Sequence, residues 1–86
     1  MKLRLSNHAA EEITRRNIPK TFLDELLDNP QQRTEEKDGL VAYQSQFDFG
    51  EGKVYLIRAI VDEAQDQNLV VTVYRTSKIN KYWRQS

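Results

Sequence analysis

The hydrophobic pattern of this chain changes its period once, at Asn29-Pro30, and this change limits the fold more than any other feature. Before that point apolar residues recur at helical spacing, and after it they alternate as in strands with one buried face. Proline cannot continue a helix, and asparagine tolerates the conformations that end one. The chain is therefore predicted to be α+β, with its helices first and a sheet after them.

Two short helices are predicted in the first part of the chain. The first runs from about Asn7 to Arg16, because Ser6 can cap its start and Asn17 tolerates the left-handed conformation that ends a helix. The second begins near Pro19, whose fixed φ suits a first helical turn, and ends at the Asn-Pro pair. Its apolar stripe consists of Phe22, Leu23, Leu26 and Leu27.

The alternating part of the chain predicts a curved antiparallel sheet of four strands, at Gln31 to Lys37, Leu40 to Phe49, Lys53 to Val61 and Leu69 to Thr76. Hairpin turns are predicted at Asp38-Gly39 and Gly50-Glu51-Gly52, and a looser polar turn from Asp62 to Asn68. Lys2 to Leu5 also alternate and predict a short strand before the helices. A short helical tail follows the last strand.

Alternation also assigns the side chains of each strand to a face of the sheet. One face is predicted to form the core with the helices. The other is predicted to be a shallow, partly exposed surface that carries Gln44, Gln46, Arg58, Thr72 and Tyr74. In the last strand, alternation puts Val71 and Val73 on one face and Val70 on the other.

Length and composition bound the class of protein. Its 86 residues make one predicted domain, residues 1–86, and the chain has no cysteine and a single histidine, which argues against disulfides and structural zinc. No apolar run is long enough for a signal peptide or a membrane span, so a cytoplasmic protein with no membrane association is expected. No phosphate-binding glycine loop, H-E-x-x-H motif or nucleophile elbow is present. Any catalysis is therefore expected to use no metal and no cofactor.

The charge of the chain is balanced overall but uneven along its length. Thirteen basic and thirteen acidic side chains cancel, so the whole molecule has no general attraction for nucleic acid. Residues 68–86, however, contain no carboxylate and carry Arg75, Lys78, Lys81 and Arg84. These cations recur every three residues, which on a helix would form one basic stripe, and Tyr74, Tyr82 and Trp83 lie among them. Cations with aromatic rings suit RNA, whereas the alternative is a solvated tail with Tyr82 and Trp83 packed on the core.

His8 is the one candidate for acid–base chemistry by an imidazole. The predicted first helix puts it in the first turn, where the helix dipole disfavours the imidazolium and would keep the ring available as a base. The alternative is a histidine that packs beside the sheet and bonds to backbone. Neighbouring carboxylates such as Glu35 and Glu36 point apart on a strand and are interpreted as solvated.

Several segments together resemble a prokaryotic domain-of-unknown-function family, number forty-two fifty-eight. The family pattern opens with H-A-x-E-x-M-x-x-R-G-I, continues through an N-P and closes with V-T-V-Y and a K-Y-W-like end. The matching residues here are His8 to Ile18, Asn29-Pro30, Val71 to Tyr74 and Lys81 to Trp83. Asn17 stands where the family usually has glycine, and Glu12 where glutamine or arginine is common.

The family is similar to the RelE and ParE toxins, and this resemblance implies a fold and an activity. The fold would be RelE-like, and the activity a metal-independent endoribonuclease that cuts mRNA, at the ribosome or free, and is paired with an antitoxin protein. His8 would be the base or acid, with the other catalytic groups drawn from Arg58, Tyr74, Arg75 and Lys78. RNA would be bound by Arg16, Lys81, Tyr82 and Arg84. The alternatives are a non-enzymatic module that binds a protein through its exposed sheet face, and a homodimer with Tyr74, Tyr82 and Trp83 at the interface.

Overall fold

The computed structural model of the chain describes residues 3–64 and 66–85. In chain order the elements are β1 (Leu3–Leu5), α1 (Asn7–Arg15), α2 (Lys20–Asp28), β2 (Gln32–Glu35), β3 (Val41–Asp48), β4 (Val54–Asp62), β5 (Asn68–Thr76) and α3 (Ile79–Tyr82). A single 3-10 turn, Lys37–Gly39, joins β2 to β3. The α+β class and the order of helices before the main strands are confirmed. Lys2, at the start of the predicted first strand, lies outside the described residues.

The five strands form one mixed sheet in the order β1-β5-β4-β3-β2. Strands β2 to β5 are antiparallel to their neighbours, as predicted, but β1 pairs with β5 in parallel. The four predicted strands are therefore antiparallel to one another, and the short first strand, whose pairing was not predicted, adds a fifth strand that makes the sheet mixed. Alternation shows that a segment is a strand, but it carries no information about the direction or the partner of its pairing.

The ends of α1 follow from local chemistry. Ser6 precedes the helix, and its Oγ accepts a hydrogen bond from the Ala9 amide at 2.9 Å, which satisfies one of the free amides of the first turn. Asn17 follows the helix with a φ of 53°, in the left-handed region. Both boundary predictions are confirmed, although the helix ends at Arg15, one residue earlier than predicted. Within α2, the buried residues are Leu23, Leu26 and Leu27.

The hydrophobic core lies between the two long helices and one face of the sheet, which we call the helix face. Val70 and Val73 of β5 are both fully buried in this core, although alternation placed them on opposite faces. The cause is a β-bulge: Val61 pairs with Val70 and Ile60 with Thr72, so that Val71 is skipped. The Val71 carbonyl accepts a hydrogen bond from Ser6 Oγ at 2.7 Å, which joins the start of α1 to the bulge.

None of the helices within residues 3–64 and 66–85 is long and apolar enough to cross a membrane. The other face of the sheet, which we call the open face, has neither α1 nor α2 on it. The C-terminal segment from α3 onward contacts its centre.

Candidate functional site

A buried cation lies at the centre of the open face. Arg58 belongs to β4, the middle strand of the five, and only 4% of its surface is exposed. The strand register places Gln44 of β3 on one side of it and Tyr74 of β5 on the other. Arg58 and its neighbours therefore form a polar row across the middle of the sheet.

Each nitrogen of the Arg58 guanidinium donates a hydrogen bond. Nε donates to Gln44 Oε1 at 2.8 Å, and Nη1 donates to the Tyr74 hydroxyl at 2.6 Å. Nη2 donates to Glu36 Oε2 at 2.9 Å, which also pairs the cation with a carboxylate. A buried guanidinium is strongly destabilising unless it is paired and hydrogen-bonded, and this arrangement meets both needs.

The ring of Tyr82 completes the site from the C-terminal segment. Its centroid lies 4.3 Å from the guanidinium carbon of Arg58, which is a cation–π distance, and 6.2 Å from the ring of Tyr74. The carbonyl of Tyr82 accepts a hydrogen bond from Gln44 Nε2 at 3.1 Å. We call Glu36, Gln44, Arg58, Tyr74 and Tyr82 the Arg58 cluster.

The surroundings of Tyr74 in the Arg58 cluster favour the protonated form of its phenol. Burial raises the pKa of Tyr74, and this effect exceeds the opposing one of the hydrogen bond from Arg58. The phenol is therefore protonated at neutral pH and can donate a proton or a hydrogen bond. The Glu36 side chain is 33% exposed, whereas that of Arg58 is 4% exposed, so solvent reaches the carboxylate more easily than the guanidinium.

Residues 5–75 match the family described as Domain of unknown function (DUF4258). The chain belongs to this family. No curated protein and no solved structure matches it. The matched residues include Glu36, Gln44, Arg58 and Tyr74 but end before Tyr82, so the predicted K-Y-W ending lies outside the DUF4258 match. The family description names no activity.

The DUF4258 domain brings together three of the residues predicted from the sequence: Arg58, Tyr74 and Tyr82. Arg75 is not among them, because neighbouring residues of a strand point to opposite faces. It pairs with Ile57 on the helix face, and its guanidinium carbon lies 4.8 Å from the centroid of Phe49 and 5.0 Å from that of Tyr55. Arg75 therefore supports an aromatic cluster on the other side of the sheet.

His8 and Arg16 also lie away from the Arg58 cluster. His8 is exposed in the first turn of α1, a helix whose Ala9 packs into the core on the helix face. Within residues 3–64 and 66–85 its side chain has no hydrogen bond or ring contact. The Arg16 Nε donates to Glu12 Oε1 at 2.7 Å on the same helix. The structure does not join either residue to Arg58.

The predicted basic stripe of the tail is wrong. Arg75 belongs to β5, and α3 contains only four residues, so no continuous helix carries the four cations. Lys78, Lys81 and Arg84 are all exposed, and the Lys81 Nζ lies 5.3 Å from the centroid of the Tyr82 ring. Trp83 is half-buried and lies outside the core. The exposed cations therefore stand beside the Arg58 cluster as separate groups.

The sequence interpretation missed the carboxylate and the two glutamines that hold the site together. Glu36 was interpreted as solvated, and Gln44 as part of an exposed surface, yet Gln44 is fully buried. The prediction of a shallow, partly exposed face is thus wrong at its centre, because Tyr82 and the segment after it cover Arg58. A signal did exist: alternation along β2 puts Gln32 and Glu36 on the same face as Gln44, which pairs with Gln32.

No group of three or more histidine, cysteine, aspartate or glutamate side chains is arranged to hold a metal ion in the part of the chain that the structure describes. The nearest approach to a second polar site is at Glu63, which bonds both the Arg33 guanidinium and the Tyr43 hydroxyl. Arg33 is the main cause of the lowered pKa of Glu63. This ion pair links β2 to the loop after β4.

Proposed function

We propose that this protein is a metal-independent endoribonuclease whose site is the Arg58 cluster, and that it acts on mRNA as a RelE-like toxin controlled by an antitoxin. One observation carries the proposal. A carboxylate, a guanidinium and a protonated phenol are linked by two hydrogen bonds, from Arg58 to Glu36 at 2.9 Å and from Arg58 to Tyr74 at 2.6 Å. These are the three kinds of group that RNA cleavage by its own 2′-hydroxyl requires.

The cleavage step assigns one role to each group. Glu36 takes the proton of the 2′-hydroxyl as the 2′-oxygen forms a bond to the adjacent phosphorus. The bond from phosphorus to the 5′-oxygen breaks, and that oxygen takes a proton from Tyr74, which is restored from Glu36 through water. Arg58 stabilises the negative charge on the phosphate oxygens. The products are a 2′,3′-cyclic phosphate and a free 5′-hydroxyl, so atoms and protons balance.

Access to Glu36 supports this assignment of the base. Its side chain is one-third exposed, and it lines an open recess of ≈ 430 Å³ beside the turn that joins β2 to β3. A base must reach the proton that it removes, and a carboxylate beside a recess can do so.

The surroundings of the Arg58 cluster suit a single-stranded nucleic acid. Lys81 and Arg84 are exposed next to Tyr82, and cations with aromatic rings bind phosphates and unpaired bases. The resemblance to RelE and ParE toxins, with helices before a sheet that carries its polar residues on one face, adds support for the toxin role. Expression is then expected to arrest growth, and a small neighbouring gene to relieve it.

The test compares Glu36→Gln with Glu35→Gln, because adjacent residues of one segment receive the same change. Both variants and the wild type are incubated with single-stranded RNA in EDTA, and the cyclic phosphate end is quantified. We expect Glu36→Gln to cleave about a hundredfold more slowly than the wild type, and Glu35→Gln to cleave at the wild-type rate. Equal rates for the two variants, or no cleavage by the wild type, would overturn the proposal.

His8→Ala is measured in the same assay, since the sequence nominated His8 as the base or acid. The proposal gives the base role to Glu36, so His8→Ala is expected to cleave at the wild-type rate. A large loss in His8→Ala with none in Glu36→Gln would return the role to His8.

A second candidate function is a non-enzymatic module that binds a protein or a second copy of itself. A groove of ≈ 520 Å³ on the helix side favours it, because apolar residues of β1, α1 and α2 line it and Leu5 is 43% exposed. Leu5→Ser is expected to abolish any self-association seen by light scattering. A monomer at all concentrations would remove the dimer from consideration.

A further inference from the structure

The Arg58 site is closed by the protein's own C-terminal segment. The centroid of the Tyr82 ring lies 4.3 Å from the guanidinium carbon of Arg58. Tyr82 and the residues after it belong to none of the strands of the sheet. Arg58 keeps 4% of its surface exposed and Gln44 none. Because the two long helices lie on the other face, this burial depends on the segment made of residues 82–84, which we call the cover.

Two glutamines hold the cover through its main chain. The side-chain amide of Gln32 donates to the Arg84 carbonyl at 2.7 Å and accepts from the Arg84 amide at 3.0 Å, as a strand neighbour would. Gln44 Nε2 donates to the Tyr82 carbonyl at 3.1 Å. Only the Tyr82 ring adds a side-chain contact with Arg58. The cover is thus attached at a few points, and most of these are side-chain hydrogen bonds at an exposed edge.

The segment that carries the cover has little stability of its own. α3 contains four residues, which is too short for a helix to persist without tertiary contacts, and Lys78 at its start provides no side-chain cap. Lys78, Lys81 and Arg84 are all exposed. The sheet beneath, in contrast, is held by continuous strand pairing. The cover should therefore open locally, well before the sheet unfolds.

We propose that the cover is removable and that a planar group of the ligand replaces the Tyr82 ring on Arg58. A guanidinium stacks on any electron-rich ring, and an unpaired nucleobase presents such a face. Opening the cover would also expose the hydroxyl of Tyr74 and the phosphate-binding nitrogens of Arg58. The identity of the ligand rests on the proposed function, whereas the removable cover rests on the geometry alone.

The cover is tested without RNA by limited trypsin digestion of Gln32→Ala and its matched control Gln31→Ala. Gln31 is the adjacent glutamine, and it accepts from the Gln46 amide at 3.0 Å without contact with the cover. We expect cleavage after Lys81 to be about fivefold faster in Gln32→Ala, because the change removes both hydrogen bonds between Gln32 and Arg84 and the one that Gln32 Oε1 accepts from Gln44 Nε2. Cleavage after the buried Arg58 reports global unfolding and should match in the two variants. Equal rates of tryptic cleavage after Lys81 in the two variants would overturn the proposal that Gln32 holds a removable cover.

Exchange of the ring is tested with a single-stranded oligonucleotide whose 2′-hydroxyls are methylated, so that it cannot be cleaved. In the wild type, binding should shift the emission of Trp83, the single tryptophan of the chain. Tyr82→Ala should bind about fivefold more tightly than Tyr82→Phe, since no ring then competes for Arg58. Weaker binding by Tyr82→Ala than by Tyr82→Phe, or an unchanged emission of Trp83, would overturn the exchange.

The two experiments separate this inference from the proposed function. If no form of the protein binds the oligonucleotide, both RNA cleavage and the exchange are overturned, and the cover stands or falls by the ratio of tryptic rates. If RNA is cleaved but the tryptic rates of Gln32→Ala and Gln31→Ala agree, the proposed function survives and the cover does not.

Discussion

Glu12 of α1 and Arg58 of β4 are two buried charges, and each is paired with opposite charge in a different way. Glu12 accepts from Arg15 and Arg16, one turn further along the same helix. Arg58 instead is paired with Glu36, which lies 22 positions away in the sequence. A local pair such as that of Glu12 stabilises one helix, whereas the Arg58 pair ties β4 to the end of β2.

Glu12 gives a prediction for the pH dependence of stability. Its pKa is lowered from 4.5 to about 2, mainly by the hydrogen bonds from Arg15 and Arg16. Because the folded-state pKa lies below the unfolded one, the ionised carboxylate contributes stability above pH 4.5 and loses that contribution as the pH falls toward about 2. Glu12→Gln should therefore be less stable than the wild type at pH 7, and the difference should shrink between those two pH values. Urea unfolding at pH 7, 4 and 2.5 measures it, and a difference that is constant with pH would contradict the prediction.

Single residues were predicted from the sequence more successfully than their grouping. Residue type and the family resemblance nominated Arg58, Tyr74 and Tyr82, and the structure joins all three. Arg75 and His8 were assigned to the same site, yet the alternation of β5 and the position of α1 place them elsewhere. Alternation along the predicted strand puts Glu36 on the open face, but its pairing with Arg58 joins segments 22 positions apart, and no local pattern reports that contact.

At the scale of elements, one serine connects a helix start to an irregularity of the sheet. Ser6 Oγ accepts from the Ala9 amide and donates to the carbonyl of Val71, the residue skipped at the β-bulge. The amide of Ser6 also donates to the Val70 carbonyl at 2.9 Å, where the parallel pairing of β1 with β5 ends. α1 is thereby fixed against β5.

Ser6→Ala should cost more stability than the loss of an ordinary helix cap. The change removes the cap and also leaves the Val71 carbonyl without its side-chain donor, so we expect a loss of about 2 kcal/mol in the free energy of unfolding. Ser77→Ala, an exposed serine after β5, is the matched control and should cost less than about 0.5 kcal/mol. Urea denaturation measures both, and similar losses for the two variants would refute this role of Ser6.

The ends of the elements were predictable from the sequence, whereas their pairing was not. The predicted strand Leu40 to Phe49 exceeds β3 (Val41–Asp48) by one residue at each end, and α2 lies between the predicted limits at Pro19 and Asn29. Caps, prolines and glycine turns act over a few residues and can be recognised in a sequence. The parallel β1 and the bulge at Val71 depend on contacts between residues more than sixty positions apart, and local rules do not contain them.

At the scale of the whole molecule, the balanced charge and a local basic surface have to be reconciled. The formal net charge is zero, yet Lys78, Lys81 and Arg84 are all exposed on the segment that covers the open face. Many of the acids lie on α2 or in the loop after β4, and some of these are paired, as Asp24 is with Lys20. At physiological salt a charge acts over about 8 Å, so the field at the open face is set by the nearby cations rather than by the net charge.

The salt dependence of RNA binding should report this local surface. Three available cations predict a slope of about −2 in a plot of log K against log salt, since each phosphate neutralised on a single strand contributes about −0.7. Lys81→Ala should make the slope shallower by about 0.7, and Lys20→Ala, on the helix side, should leave it unchanged although it alters the net charge equally. The slopes are measured by fluorescence anisotropy with a non-cleavable oligonucleotide at roughly 25 to 200 mM salt, where counterion release dominates the salt dependence of binding. An equal change of slope in the two variants would show that the net charge, rather than the cations beside the open face, determines the salt dependence of binding.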